Sequence, residues 1–148
     1  MNTINKFDGD YSFLSNFYDA PVEYRGVAYR NSEAAYQAQK TLDMNIRKEF
    51  TDLSGAEAKK KAQTIDLRSD WDDVKVTVMY EIVHNKFAQN PDIRNLLVAT
   101  DDAEIVEGNY WNDTFWGVCN GTGKNMLGKI LMRVRKEMVP FASIKKEN

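Results

Sequence analysis

The sequence predicts a helix-rich α+β domain with a small antiparallel sheet near the N-terminus, and three observations carry that prediction. The chain has 148 residues, the length of one ordinary domain, so a single domain over 1–148 is expected. Two short extended segments within "PVEYRGVAY", residues 21–29, flank Arg25 and Gly26 and read as a hairpin. Three later segments carry apolar residues at helical rather than alternating spacing.

Along the chain, "YSFLSNF" before the hairpin is a third strand or an ordered loop. Asn31 or Ser32 then offers an N-cap for a helix from about Glu33 to Leu42. Its alanine side, Ala35, Ala38 and Leu42, is expected to pack, and its polar side, Glu33, Gln37 and Lys40, to look outward or into a cleft. "NIRKEFTDL" and "SGAEAKKKAQTI" read as two short helices, the second capped by Ser54 and carrying a solvated lysine run, Lys59 to Lys61. From an N-cap at Ser69, Trp71, Val74, Val78, Ile82 and Phe87 mark a long helix ending near Gln89. Asn90 and Pro91 restart a helix that turns Ile93, Leu96 and Leu97 inward.

"AEIVEGN" is a candidate short strand, and "YWNDTFWGVCNGTGKN" a long loop whose aromatic content argues against disorder. The last helix, capped by Asn125, buries Leu127, Ile130, Leu131 and Val134 and is expected to stop before Pro140, leaving a frayed tail. Gly128 inside it predicts a close packing contact, since glycine there costs ~1 kcal/mol against alanine.

Composition narrows the chemistry. A formal net charge of -2 gives no whole-molecule attraction to nucleic acid, although a local basic groove stays open. Cys119 and His84 are the only residues of their kinds, so neither an internal disulfide nor a Cys/His zinc cluster is available. Catalysis must therefore rest on carboxylates, lysine, amides and aromatics. No charged-then-apolar leader and no apolar run near ~20 residues is seen, which predicts a soluble cytoplasmic protein without membrane partners.

Two constellations stand out, each with a plainer alternative. Glu33 in a first helical turn interacts favourably with the dipole whatever else it does, and that setting also favours its ionised form. A fixed carboxylate is what a reaction building positive charge on a sugar carbon needs. Gln37 and Lys40 follow Glu33 into any cleft it faces, because helical geometry ties the three together. In "NDTFWG", Asp113 is either a turn former or a proton acceptor, and Trp116 either a core residue or a flat face for a base or sugar. "GTGKN" lacks the phosphate-loop pattern.

"LSNFY" (14–18), "SEAAYQAQK" (32–40), "LRSDWDDVK" (67–75), "KFAQNP" (86–91), "LLVAT" (96–100), "NDTFWG" (112–117) and "GKNMLGKILMRVR" (123–135) together resemble the NADAR family of YbiA-like N-glycosidases. The resemblance is ordered and runs from about Phe7 to Met138. It implies hydrolysis of a ribosyl carbon–nitrogen bond, with a small phosphorylated ribosyl or ADP-ribosyl substrate: a ribosylamino-pyrimidine phosphate of riboflavin synthesis, or ADP-ribose attached to guanine in DNA. By motif position it places the catalytic residues at Glu33, Lys40, Asp113 and Trp116. Substrate-lining residues follow at Asn16, Phe17, Tyr36, Gln37 and Asn125.

In that reading one of Glu33 and Asp113 stabilises an oxocarbenium-like centre while the other serves water or proton transfer, and either assignment is open. Trp116 and Tyr36 stack on base or ribose, and Lys40 engages a phosphate or the departing heterocycle. No cofactor or metal is expected. Lys59, Lys60 and Lys61 are candidates to guide a nucleic-acid backbone. Two positions depart from the family pattern: Ala34 stands where a histidine is usual, and Asn112 where a proline is common, which is expected to loosen the loop. A binding module for ADP-ribose that does not cleave it is the alternative.

Overall fold

The computed structural model describes residues 2–146, with side-chain surroundings through Ala142. In chain order it contains β1 (Thr3–Ile4), a 3-10 helix (Gly9–Leu14), β2 (Val22–Tyr24), β3 (Val27–Tyr29), α1 (Ser32–Ala38), α2 (Met44–Lys48) and α3 (Gly55–Ala62). Then follow α4 (Trp71–Gln89), α5 (Pro91–Ala99), β4 (Glu104–Ile105), β5 (Gly108–Asn109), β6 (Val118–Cys119) and α6 (Met126–Lys146). The fold is helix-rich α+β, as expected. Residues 16–90 form one compact unit, and the chain up to Ser15 with the chain from Pro91 onward forms another.

Within residues 16–90 the hairpin is antiparallel, pairing Val22 with Tyr29 and Tyr24 with Val27. Arg25 and Gly26 both take positive φ, 50° and 83°, the left-handed pair that a two-residue turn needs to match strand twist. Its inward side chains, Val22, Tyr24, Val27 and Tyr29, are buried, and strict alternation leaves Glu23 and Ala28 outside. α4 holds the hairpin by polar ties: Tyr24 Oη donates to Glu81 at 2.6 Å, and Gln89 bonds both backbone groups of Glu23.

α1 packs against α3, α4 and the hairpin. Ala34, Ala35 and Ala38 have no exposed surface, and their small side chains let these neighbours close in. The helix is shorter than its apolar spacing predicts. It ends at Ala38, and Leu42 is 66% exposed instead of extending the alanine face. Residues after the helix supply the partners its continuation would have used: Arg68 N–H donates to Lys40 O at 2.8 Å, and Gln39 Nε2 to Ala35 O at 3.0 Å. α3 opens with a full capping box between Ser54 and Glu57. α4 starts one residue late, after Asp70, whose carboxylate is engaged by Arg68 and makes no cap bond.

In the other unit β1 pairs with β4, and β5 with β6, both parallel. The candidate strand "AEIVEGN", residues 103–109, holds both β4 and β5, but their two-residue partners β1 and β6 leave almost no periodic trace in sequence, so the pairing is not visible there. "YSFLSNF" is largely the 3-10 helix rather than a strand. α6 packs on α5 and β4. A side chain at Gly128 would collide with the Ile105 carbonyl, so the expected close approach is present. Ile93 and Leu97 are buried as expected, but Leu96 is half-exposed. α6 runs through Pro140 to Lys146 where a stop was expected, and Glu147 and Asn148, the end of the tail expected to fray, lie outside the described residues. Proline forfeits one helical bond, yet Met138 and Ala142 stay buried on either side of it, and Arg94 sits 5.8 Å from the Phe141 ring.

Candidate active site

The entry of α1 is fixed by four side-chain and backbone bonds. Asn31 Oδ1 accepts from Ala34 N–H at 2.8 Å, and Asn31 Nδ2 donates to Leu53 O. The Asn16 carbonyl accepts from Glu33 N–H at 2.9 Å, while Ser32 Oγ donates to Asn16 Oδ1 at 3.0 Å. Asn16 is thus buried beside Glu33, its amide also meeting Met79 Sδ. Phe17, about half-exposed, lies over Gly55, where any side chain would strike its ring.

Glu33 and Gln37 are 8% and 5% exposed, so the polar face of α1 does not look outward. Gln37 Nε2 donates to Glu33 Oε2 at 2.7 Å. Gln37 Oε1 is buried without a hydrogen-bond donor. Lys40 follows in the turn after the helix, partly exposed, its Nζ 5.9 Å from the centre of the Tyr36 ring and 6.0 Å from that of Trp71. The two rings lie 5.2 Å apart. Burial lowers the Lys40 pKa, and the Glu33 carboxylate opposes that shift. Residues 33, 36, 37 and 40 therefore form one row in which a carboxylate, an amide, an aromatic face and an ammonium are held at short range.

Asp113, Trp116 and Asn125 belong to the unit that includes residues 91 onward. Asp113 Oδ1 accepts from the backbone N–H groups of Phe115 and Trp116 at 3.1 and 2.9 Å, the turn-forming role left open by sequence. Trp116 is partly exposed rather than core, edge-on to Phe115 at 4.9 Å. Asn125, at φ 53°, does not cap α6 with its side chain; it accepts from Glu107 N–H and donates to Ile105 O, joining β4 to β5. Both ends of its amide thus have architectural partners. Among the described residues no cluster of three or more His, Cys, Asp or Glu side chains could hold a metal ion.

The sequence matches the NADAR domain over residues 4–139. The chain belongs to the NADAR family. It is 38% identical over 133 residues to the N-glycosidase YbiA of Escherichia coli (strain K12), covering 87% of this chain and 82% of that protein. It is also 38% identical over 144 residues to the riboflavin biosynthesis protein VVA0006 of Vibrio vulnificus (strain YJ016), covering 91% of this chain but only 38% of that longer protein. The NMR structure of E. coli YbiA superposes with a TM-score of 0.81 at 35% identity, covering all of this chain and 90% of the other.

In this NADAR chain the two departures from the family pattern have structural readings. Ala34 is wholly enclosed, so the position packs. Asn112 sits at φ 68°, a conformation closed to proline, and the loop is tied rather than loose: Asn109 Nδ2 donates to Asp113 O at 2.9 Å and Asn109 Oδ1 accepts from Asp113 N–H at 3.1 Å. Sequence reasoning misses two residues of the unit containing α1. Trp71 reads only as a helix-face residue, although its ring faces Lys40. Lys86 is 1% exposed in α4, 5.9 Å from the Tyr18 ring, and burial pulls its pKa down to about 7. Its even spacing with Val78 and Ile82 along α4 is the available signal, since that face is otherwise apolar. Lys59 and Lys60 are exposed, whereas Lys61 pairs with Glu49 at 2.8 Å.

Proposed function

We propose that this protein is an N-glycosidase that hydrolyses a ribosyl carbon–nitrogen bond, with Glu33 as the carboxylate that stabilises the oxocarbenium-like centre. The supporting observation is a buried carboxylate held by the Gln37 amide, in a row that continues to an ammonium over aromatic rings. A charge so fixed needs little reorganisation as positive charge develops on the anomeric carbon. Lys40, whose burial makes its proton easier to give up, assists the departing nitrogen heterocycle or holds a phosphate. Tyr36 offers the ring beside it. Asp113 and Trp116 take the water-orienting and stacking roles, with Asn16 and Phe17 lining the substrate.

The substrate class is a ribosylamino-pyrimidine phosphate of the riboflavin pathway type, as the name of the Vibrio relative suggests, or ADP-ribose linked to guanine. The experiment is a chromatographic assay of released base from both substrates, with wild type and Glu33→Gln. Wild type is expected to release base from one of them, and Glu33→Gln to keep its melting temperature while kcat falls about 10²–10³-fold. Undiminished release by Glu33→Gln sinks the assignment. Tight calorimetric binding of ADP-ribose with no base released from either substrate favours a non-cleaving reader instead.

A further inference from the structure

Gln37 carries an unmet hydrogen bond beside the proposed catalytic carboxylate. Its nitrogen donates to Glu33 Oε2 at 2.7 Å, and that orientation is forced, because an ionised carboxylate accepts and does not donate. The oxygen is thereby turned away from Glu33 and buried, with no protein donor in reach. Buried acceptors are almost always satisfied in folded proteins, and an exception beside a functional group calls for a donor from outside the chain, a water or a ligand.

The amide itself fixes how far away that ligand donor must be. Its oxygen and nitrogen are about 2.2 Å apart from their bond lengths, so Oε1 lies within about 5 Å of the Glu33 oxygen. On a ribosyl group whose anomeric carbon faces Glu33, the donor next to that carbon is the 2-hydroxyl. Positive charge on the anomeric carbon makes this hydroxyl more acidic, so a bond to it strengthens toward the transition state.

We infer that Gln37 Oε1 accepts a hydrogen bond from the 2-hydroxyl of the reacting sugar, making the site selective for ribosyl over 2-deoxyribosyl substrates. This rests on the hydrolytic reading of Glu33. One side chain then holds both partners of the reaction, its nitrogen on the carboxylate and its oxygen on the sugar. Asn16, the neighbouring buried amide, does not compete for the hydroxyl, since its oxygen accepts from Ser32 and its nitrogen meets Met79.

The test uses the ribosylamino-pyrimidine phosphate and the ADP-ribosylated guanine, each beside an analogue lacking the 2-hydroxyl on the reacting ribose. kcat/KM is measured for wild type, Gln37→Met and Gln37→Glu. Deoxyribosyl bonds are intrinsically more labile, so the readout is the change in the ribosyl-to-deoxyribosyl ratio between proteins. Gln37→Met, which has no acceptor, is expected to lower that ratio roughly tenfold or more. Gln37→Glu keeps an oxygen there and is expected to hold the ratio within about threefold of wild type, while both variants lose rate on both substrates. Wild type alone gives a second measure, free of any folding defect in the variants: ribose 5-phosphate should inhibit roughly tenfold more strongly than 2-deoxyribose 5-phosphate. An unchanged ratio in Gln37→Met, or equal inhibition by the two sugar phosphates, overturns the assignment and leaves the hydrolytic reading standing. Failure of wild type to release base from any substrate removes both.

Discussion

The two carboxylates singled out by sequence are held in opposite ways. Glu33, in the unit of residues 16–90, is buried and anchored by a side-chain amide of its own helix. Asp113, in the unit that includes residues 91 onward, uses Oδ1 to shape its own loop through two backbone N–H groups. If the proposed function holds, substitution at Glu33 therefore reads out chiefly chemistry, whereas substitution at Asp113 mixes chemistry with architecture. Buried cations occur in both units: Lys40, Arg47 and Lys86 in the first and Arg135 in the second have their pKa lowered, each chiefly by burial, and Lys86, at 1% exposed, is the most deeply buried of them. The first unit thus carries the most desolvated charge, where an apolar core would be more stable, a pattern common at sites that need reactive groups.

The largest effect expected from that contrast is on stability against pH. The Lys86 pKa falls from an ordinary 10.5 to about 7 on folding. Between those values the unfolded chain binds the extra proton, so stability rises with pH across the window and is lost again as pH falls toward 7. Below that, both states are protonated and the contribution is constant. Each pH unit between the two values is worth ~1.4 kcal/mol, so the swing over the full window approaches ~5 kcal/mol, most of it between pH 7 and 10. Urea unfolding of wild type and Lys86→Met from pH 7 to 10 isolates it, because other titrating groups cancel in the difference. Wild type should gain stability relative to the variant throughout; parallel curves would mean that Lys86 does not lose its proton on burial.

Next in size is Asp113. Asp113→Asn keeps an oxygen for the Phe115 and Trp116 N–H groups but removes the charge and the proton acceptor. It is expected to melt within ~2 °C of wild type and to lose about 10²-fold in kcat/KM. Asp113→Ala loses the turn as well and should be destabilised by ~1–2 kcal/mol. If Asp113→Asn turns over like wild type, the residue is a turn former alone, and the comparison with Glu33 becomes one between the proposed catalytic group and a scaffold.

Much of the first unit is legible in its sequence. Arg25-Gly26 marks the hairpin, Ser54 and Glu57 mark the capping box, and the apolar period marks α4. The cap of α1 is legible too, but its length is not: the polar contacts that stop it come from Arg68, distant in sequence, and no local pattern encodes them. The same reason hides the burial of Glu33 and Gln37. A polar stripe on an isolated helix looks solvent-facing, and only tertiary packing that buries every residue of α1 encloses it. "AEIVEGN" marks one strand of each parallel pair, but the partners β1 and β6 are invisible because pairing at that length is set by tertiary context rather than propensity. Asn125 reads as a cap because its position before α6 suits one, while its side chain serves the β4–β5 connection.

The smallest effect distinguishes the two asparagines that precede helices. Asn31 caps α1 through Oδ1 and reaches Leu53 O through Nδ2, so Asn31→Asp keeps the cap and loses only the second bond. Asn31→Ala loses both and should cost ~1–2 kcal/mol, with Asn31→Asp near half of that. At Asn125 no such ranking is expected. Both amide ends serve backbone groups other than those of α6, and aspartate cannot supply the donor that Ile105 O requires. Asn125→Asp and Asn125→Ala should therefore be comparably destabilised in thermal melts. If aspartate rescued Asn125 as well as it does Asn31, the side chain would be acting as a helix cap in both units. The distinction between a residue that positions Glu33 by capping α1 and one that ties two strands together would then be lost.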